Sequence, residues 1–155
     1  MRHMVDVEVI LDEAYADPKI TIRAREKTPL VENIIESIEN ASETDFPMIP
    51  AHKGDNVEML SQRDIVRVYT QGRRILVQTD DELYYVTKTL SAVEEMLNPD
   101  RFLRISQSEI MNIYKVKAFE FDKAGTIGIE FENGVKTWAS RSRVKAIKEM
   151  LREGH

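Results

Sequence analysis

Arg101-Phe-Leu-Arg-Ile-Ser-Gln-Ser-Glu-Ile-Met-Asn-Ile-Tyr-Lys-Val116 interleaves apolar and polar side chains in a way that neither a plain helix nor a plain strand requires. Phe102, Leu103 and Ile105 suit a core. Arg104, Ser106, Gln107 and Ser108 offer donors and acceptors at short intervals, and Ile110, Met111 and Ile113 restore apolar anchoring around Asn112. The pattern describes a polar segment held at both ends by buried side chains. Such a segment presents Arg104, Gln107 and Ser108 with little freedom left to lose on binding, which lowers the entropic cost of recognition. The plainer reading is an ordinary polar loop between two core anchors. Asn112, set between Met111 and Ile113, reads as a group that satisfies buried backbone rather than one that touches a ligand.

Outward from this stretch the chain turns to short strands. Downstream, Val116–Phe121 and Ile127–Phe131 are followed by Asn133-Gly134, which predicts a tight hairpin into Val135–Ala139. Ser140 is placed to cap a closing helix with Val144, Ile147 and Leu151 inward. Upstream, Met48–His52, Val57–Leu60, Ile65–Thr70, Ile75–Thr79 and Leu83–Val86 are each bounded by Gly, Asp or Gln-Gly turn signals. Ser91-Ala-Val-Glu94 is a capping-box pattern, Leu90, Val93 and Leu97 give its helix an apolar stripe, and Asn98-Pro99 stops it. The spacing predicts a mainly β body of small packed sheets with two flanking helices over residues 48–151.

Residues 1–47 read differently. Val5–Val9 alternates with period two and continues into Ile10 and Leu11; Ala16-Asp17-Pro18 is turn chemistry, and Ile20–Ala24 alternates again. Thr28 can cap a helix that starts at Pro29, carries Leu30, Ile34, Ile35 and Ile38 on one face, and ends near Asn40. Residues 40–47, with Ser42, Asp45 and Pro47, form a linker. This β-β-α extension is too short for a phospho-acceptor receiver domain and lacks the acidic cluster and strand-end aspartate of one. Its expected role is a dimerisation or regulatory unit.

The 155 residues suit one domain with a small extension. A 42% hydrophobic content supports a real core, and no run approaches the roughly 18 apolar residues of a membrane span. No secretion signal is visible, and the absence of cysteine rules out disulfides and fits a reducing cytoplasm. The net charge of −5 is unevenly held: residues 1–55 carry 6 basic and 12 acidic side chains, and residues 56–155 carry 16 basic and 15 acidic. Phosphate affinity follows local patches rather than the sum, so charge permits nucleic-acid binding without arguing for it.

Three loops gather basic or amide side chains: Gln71-Gly-Arg-Arg74 on a hairpin tip, Arg104 to Ser108, and Ser140-Arg-Ser-Arg143 with Lys145 at a helix start. Arginine can bond two acceptors of guanine at once, glutamine can do so to adenine, and a helix start favours phosphate. Each loop taken alone is equally a solvated turn. Catalysis finds no support. His3, His52 and His155 are scattered, Asp80-Asp81 sits at a turn, Glu94-Glu95 lies on a solvated helix face, and no phosphate loop, nucleophile elbow or zincin motif occurs. No cofactor or metal site is expected.

In order along the chain, Phe102-x-Arg104-x-x-x-Ser108-x-x-x-Asn112 and then Ser140-Arg141 match the core pattern of LytTR DNA-binding domains, found mostly in bacterial transcription regulators. Asp64-Ile-Val-Arg-Val68, Gln71-Gly72 and Thr89-Leu-Ser-Ala-Val-Glu94 precede them in the family's order. The resemblance covers roughly residues 48–151. It implies loops rather than a recognition helix in the DNA groove, with contacts from Arg73 or Arg74, from Arg104, Gln107 and Ser108, and from Arg141 with Arg143 beside it. Where many members have a histidine two residues after the arginine, this chain has Ser106. On that basis Gln107 and one hairpin arginine are expected to read bases, and Arg104, Arg141 and Arg143 to hold phosphates. The resemblance further implies a homodimer on double-stranded DNA with paired repeats, and an inhibitory membrane-protein partner. The rival reading is an all-β protein-interaction module that does not bind DNA. Single-stranded RNA binding ranks last, because Phe102, Phe119, Phe121, Phe131 and Trp138 are all assigned to the core. Salt separates the two main readings. DNA affinity should fall with a log–log slope of about 0.9 per neutralised phosphate, whereas an apolar protein interface should respond far less.

Overall fold

The computed structural model describes residues 5–16, 18–42 and 46–152. His3, Asp17, Asp45 and His155 lie outside them. The chain divides into two compact units, Met1–Ile38 and Glu39–His155.

Helix α1 (Pro29–Ser42), which starts in the first unit and runs past its end at Ile38, forms as its sequence predicts. Thr28 provides the cap: its carbonyl accepts from the Glu32 N–H at 3.0 Å and its hydroxyl from the Val31 N–H at 3.3 Å. The two strands expected at Val5–Leu11 and Ile20–Ala24 do not form; among the described residues no strand precedes α1. Period-two alternation supplies strand propensity, but a ladder needs a partner, and a lone pair of strands is marginal in water. These segments are left exposed, with Val7 at 83% and Leu11 at 92%.

The second unit carries β1 (Ile49–Lys53), β2 (Asn56–Leu60), β3 (Ile65–Gln71), β4 (Arg74–Thr79), β5 (Leu83–Val86), α2 (Leu90–Met96), β6 (Phe102–Ser106), β7 (Glu109–Asn112), β8 (Val116–Phe121), β9 (Ile127–Phe131), β10 (Lys136–Ala139) and α3 (Val144–Arg152). Seven strands form one sheet in the order β2-β1-β5-β4-β3-β7-β6, and three form another in the order β10-β9-β8. All pairs are antiparallel. The β body with flanking helices is therefore as its spacing predicts. One difference lies in the central stretch itself. The expected polar loop is a hairpin, β6 and β7 joined through Gln107 and Ser108, with a register shift between Arg104 and Ser106.

Two cores flank that hairpin. Ile49, Val68, Val77, Val93, Leu97, Phe102 and Ile110 pack in one, under α2. Val66, Ile105, Met111, Ile127, Ile129, Phe131 and Ile147 pack in the other, with Leu103 against them, between the three-stranded sheet and α3. Alternation along a strand sends neighbouring side chains to opposite faces, so β6 and β7 are anchored on both sides.

Buried polar groups tie these layers. The Asn112 Nδ2 donates to the Ile65 carbonyl at 2.7 Å, and its Oδ1 accepts from the Tyr114 N–H at 3.0 Å. Gln62 Nε2 donates to the Pro47 and Met96 carbonyls at 2.9 and 2.8 Å, and its Oε1 accepts from the Asn98 N–H at 2.9 Å. Glu109 accepts from Arg67 at 3.1 Å and from the Thr137 hydroxyl at 2.6 Å, which joins the larger sheet to the smaller.

Local details depart from expectation at Thr89, at Ser140 and at the pair Phe121 and Trp138, while the Asn133-Gly134 hairpin forms as expected. The cap of α2 is Thr89, whose hydroxyl accepts from the Ala92 N–H at 3.1 Å, so Ser91 lies inside the helix. Ser140 makes no side-chain cap; it precedes a 3-10 turn at Arg141–Arg143, and its hydroxyl pairs with that of Ser142 at 3.1 Å. The Asn133-Gly134 turn closes with Gly134 N–H to the Phe131 carbonyl at 2.9 Å, a three-residue connection in which Gly134 takes φ +89. Phe121 and Trp138 are 55% and 54% exposed rather than buried. Trp138 pairs with Gly128 across the ladder, and a Cβ added at Gly128 would lie 3.2 Å from the indole, so the ring rests over a position with no side chain.

Replacing Asn112 by alanine leaves the Ile65 carbonyl and Tyr114 N–H without these partners. Denaturant titration of Asn112→Ala should show a loss of about 1–3 kcal/mol, and an unchanged midpoint would show the tether to be dispensable.

Candidate nucleic-acid interface

The turn between β6 and β7 is built by local hydrogen bonds. Ser106 Oγ accepts from the Ser108 N–H at 3.2 Å and lies 3.2 Å from the Ser108 hydroxyl, the kind of side-chain turn that serine supports. Arg104 closes it from the strand side. Its Nε donates to the Ser106 carbonyl at 2.7 Å, one terminal nitrogen to the Gln107 carbonyl at 2.5 Å, and the other to Glu94 of α2 at 3.1 Å. The Arg104 side chain is only 14% exposed. Its guanidinium therefore serves the backbone of the turn, while Gln107 and Ser108 are exposed on it.

Two backbone hydrogen bonds bring the other loops alongside. The Thr70 N–H donates to the Ser108 carbonyl at 2.8 Å, which sets the end of β3 and its hairpin tip beside the turn. The Ser140 N–H donates to the Ile105 carbonyl at 2.8 Å, which sets the junction of β10 with the last helix on the other strand of the hairpin. Segments near residues 72, 107 and 141 thus meet at one end of the sheets. Gly72 has φ +62 while Arg73, like every described non-glycine residue, has negative φ; these are the signs of a type II′ turn.

The hairpin arginines separate in this geometry. Arg74 lies with its guanidinium carbon 4.5 Å from the centre of the Tyr85 ring, which itself stacks on His52 at 5.0 Å. Arg73 is exposed at the tip. Arg141 is exposed at the start of the 3-10 turn and Arg143 is half-buried. Among the described residues Arg73, Arg141 and Arg143 have no ring or carboxylate partner of this kind, whereas Arg104 is engaged within the chain. The clamp escaped the sequence reading, as did the contact of Glu94, which had read as solvated. The Ser-x-Ser of residues 106–108 is a signal for the turn, but the register shift that turns Arg104 onto it has no sequence signature.

A family model described as the LytTr DNA-binding domain matches residues 55–152. The chain is 30% identical over 103 residues to the sensory transduction protein LytT of Enterococcus faecalis, covering 66% of this chain and 43% of that protein. It is 30% identical over 121 residues to the transcriptional regulatory protein LytR of Staphylococcus aureus, covering 77% and 49%. The chain thus spans about half the length of these curated relatives. Among solved structures it is similar in fold to a LytTr DNA-binding domain from Bacillus cereus, with a TM-score of 0.65 and 19% identity, covering 68% of this chain and 96% of that one. Among the described residues no group of three or more His, Asp or Glu is placed to hold a metal ion, and no helix is long and apolar enough to cross a membrane.

If Arg104 positions the turn while Arg141 meets phosphate, their variants differ in salt response. In DNA-binding titrations over a salt series, Arg141→Ala should reduce the log–log slope by about 1. Arg104→Ala should lower affinity with the slope unchanged. Equal slope changes for both would overturn the distinction.

Proposed function

We infer, since the chain belongs to the LytTr DNA-binding domain family, that it is a transcription regulator that binds double-stranded DNA sequence-specifically and reads the major groove through loops. The observation that carries this reading is the convergence of three sequence-distant loops through the Thr70–Ser108 and Ser140–Ile105 backbone hydrogen bonds. Gln107, on a turn clamped by Arg104, and Arg73, at a glycine-founded tip, are the base readers. Ser108 supports Gln107, and Arg141 and Arg143 hold phosphates. Arg74 acts through its stack on Tyr85. The net −5 charge is no obstacle, because these cations are local to one end.

The regulator works as a homodimer on paired repeats, with two copies on one DNA face and repeats about 10 base pairs apart, one helical turn. Residues 1–47 are its dimerisation or regulatory unit, and an inhibitory membrane-protein partner would act there. A protein-interaction role has one observation in its favour. Val57, His52 and Tyr85 are neighbours across one sheet face, with Met59 and Leu83 two residues along, and Val57, Met59 and Leu83 are about half exposed. That face meets the hairpin tip at Tyr85, on which Arg74 stacks.

Selection of bound fragments from random double-stranded DNA by the purified chain should enrich two short repeats one helical turn apart. Gln107→Ala should then lose discrimination at one or two positions of each repeat, on the order of 1–3 kcal/mol. No enriched sequence, together with salt-insensitive binding, would replace this reading by the protein-interaction one.

A further inference from the structure

The two segments that fail to form strands before α1 are complementary to each other. Residues 5–13 carry Asp6, Glu8, Asp12 and Glu13 and no basic side chain. Residues 19–27 carry Lys19, Arg23, Arg25 and Lys27 against the single acid Glu26. Their apolar residues alternate in step, Val5, Val7 and Val9 in the first and Ile20, Ile22 and Ala24 in the second. Paired as strands they would therefore present one apolar face, and set carboxylates against guanidinium and ammonium groups on the other.

Among the described residues neither arm has such a partner within its own chain. The only backbone or side-chain hydrogen bonds described in residues 5–16 form a local turn at Asp12, whose carboxylate accepts from the Ala14 N–H at 2.9 Å and whose carbonyl accepts from the Tyr15 N–H at 3.2 Å. Val5, Val7, Val9, Ile10, Leu11 and Ile20 all stand more than half exposed. Exposed alternating segments of opposite charge are unstable as they are, because each leaves both its apolar side chains and its backbone groups to water.

We propose that these arms are exchanged between two copies of this chain, the acidic arm of each copy pairing with the basic arm of the other; this rests on the homodimer of the proposed function and specifies how it is built. Two-fold exchange is self-complementary, so both pairings form at once. It also assembles four strands where one chain offers two, and a pair alone is marginal whereas three or more strands with an apolar face are stable. The half-buried stripe of Val31, Ile34, Ile35 and Ile38 on α1 supplies an apolar surface in the same unit. Like arms repel, so a symmetric pairing of acidic with acidic or basic with basic arms is excluded by charge.

Sedimentation equilibrium on the full chain tests this with two double variants. Asp6→Lys with Glu8→Lys turns the alternating part of the first arm, residues 5–9, basic like the second arm, and Arg23→Glu with Arg25→Glu turns that of the second, residues 20–25, acidic like the first. The wild-type chain should be a dimer, each variant a monomer, and an equimolar mixture of the two a heterodimer, since every pairing in the mixture is again between opposite charges. Pairing within one chain predicts no such rescue. A monomeric wild type, dimers that survive both reversals, or a mixture that stays monomeric would each overturn the exchange. Binding to DNA with one repeat keeps the two readings apart. Each variant should retain it, while affinity for two repeats falls by about 100-fold or more. Loss of all DNA binding by a wild-type chain that still dimerises would strike the functional reading and leave the exchange standing.

Discussion

The body of this protein depends on one hairpin having two buried faces. Phe102 and Ile110 enter the core beneath α2, while Leu103, Ile105 and Met111 enter the core shared with the three-stranded sheet and α3. Most antiparallel sheets bury one face and leave the other to water. Here β6 and β7 are held from both sides, and each large apolar side chain contributes about 1.5–3 kcal/mol of burial. Slippage by one residue would exchange the two sets of side chains and disrupt both cores together. The turn at Gln107 and Ser108 is thus among the most constrained exposed points of the molecule.

Polar groups inside this arrangement add direction to the packing. Asn112 is fully buried and bonds to backbone on both sides of its amide. Glu109 is nearly buried and bridges Arg67 on β3 to Thr137 on β10, while Arg67 also donates to Gln78 at 2.8 Å. Apolar contacts are tolerant of small rotations; these hydrogen bonds are not, and leaving one unmade costs more than making it contributes. They define how the smaller sheet sits on the larger. That placement in turn decides where Ser140 and Arg141 meet the hairpin.

The family's pattern acquires a physical meaning from this geometry. Of Phe102, Arg104, Ser108 and Asn112, the first is a core anchor, the second clamps the turn, the third stands in it, and the fourth tethers the strand end. In this chain the pattern therefore marks residues that build the loop. Gln107, between them, is exposed on the turn.

Much of this was legible before any coordinates. Strand positions from residue 48 onward, the Asn133-Gly134 turn, the stripe of the last helix and the buried role of Asn112 all rest on patterns spanning a few residues, and such patterns are decided locally. The pairing partners were not legible. The cap at Thr89, the exposure of Trp138 over Gly128 and the inward turn of Arg104 each depend on where a neighbouring strand or helix comes to lie. The strands expected at Val5–Leu11 and Ile20–Ala24 failed for the same reason, since alternation states a preference and only a partner completes a ladder. By itself, then, the sequence determined which segments would be strands or helices in the body and which residue types would stand in its loops. Only the tertiary structure decided that three of those loops share one end, because hydrogen bonds between residues 70 and 108 and between 105 and 140 are properties of packing and have no counterpart in local pattern.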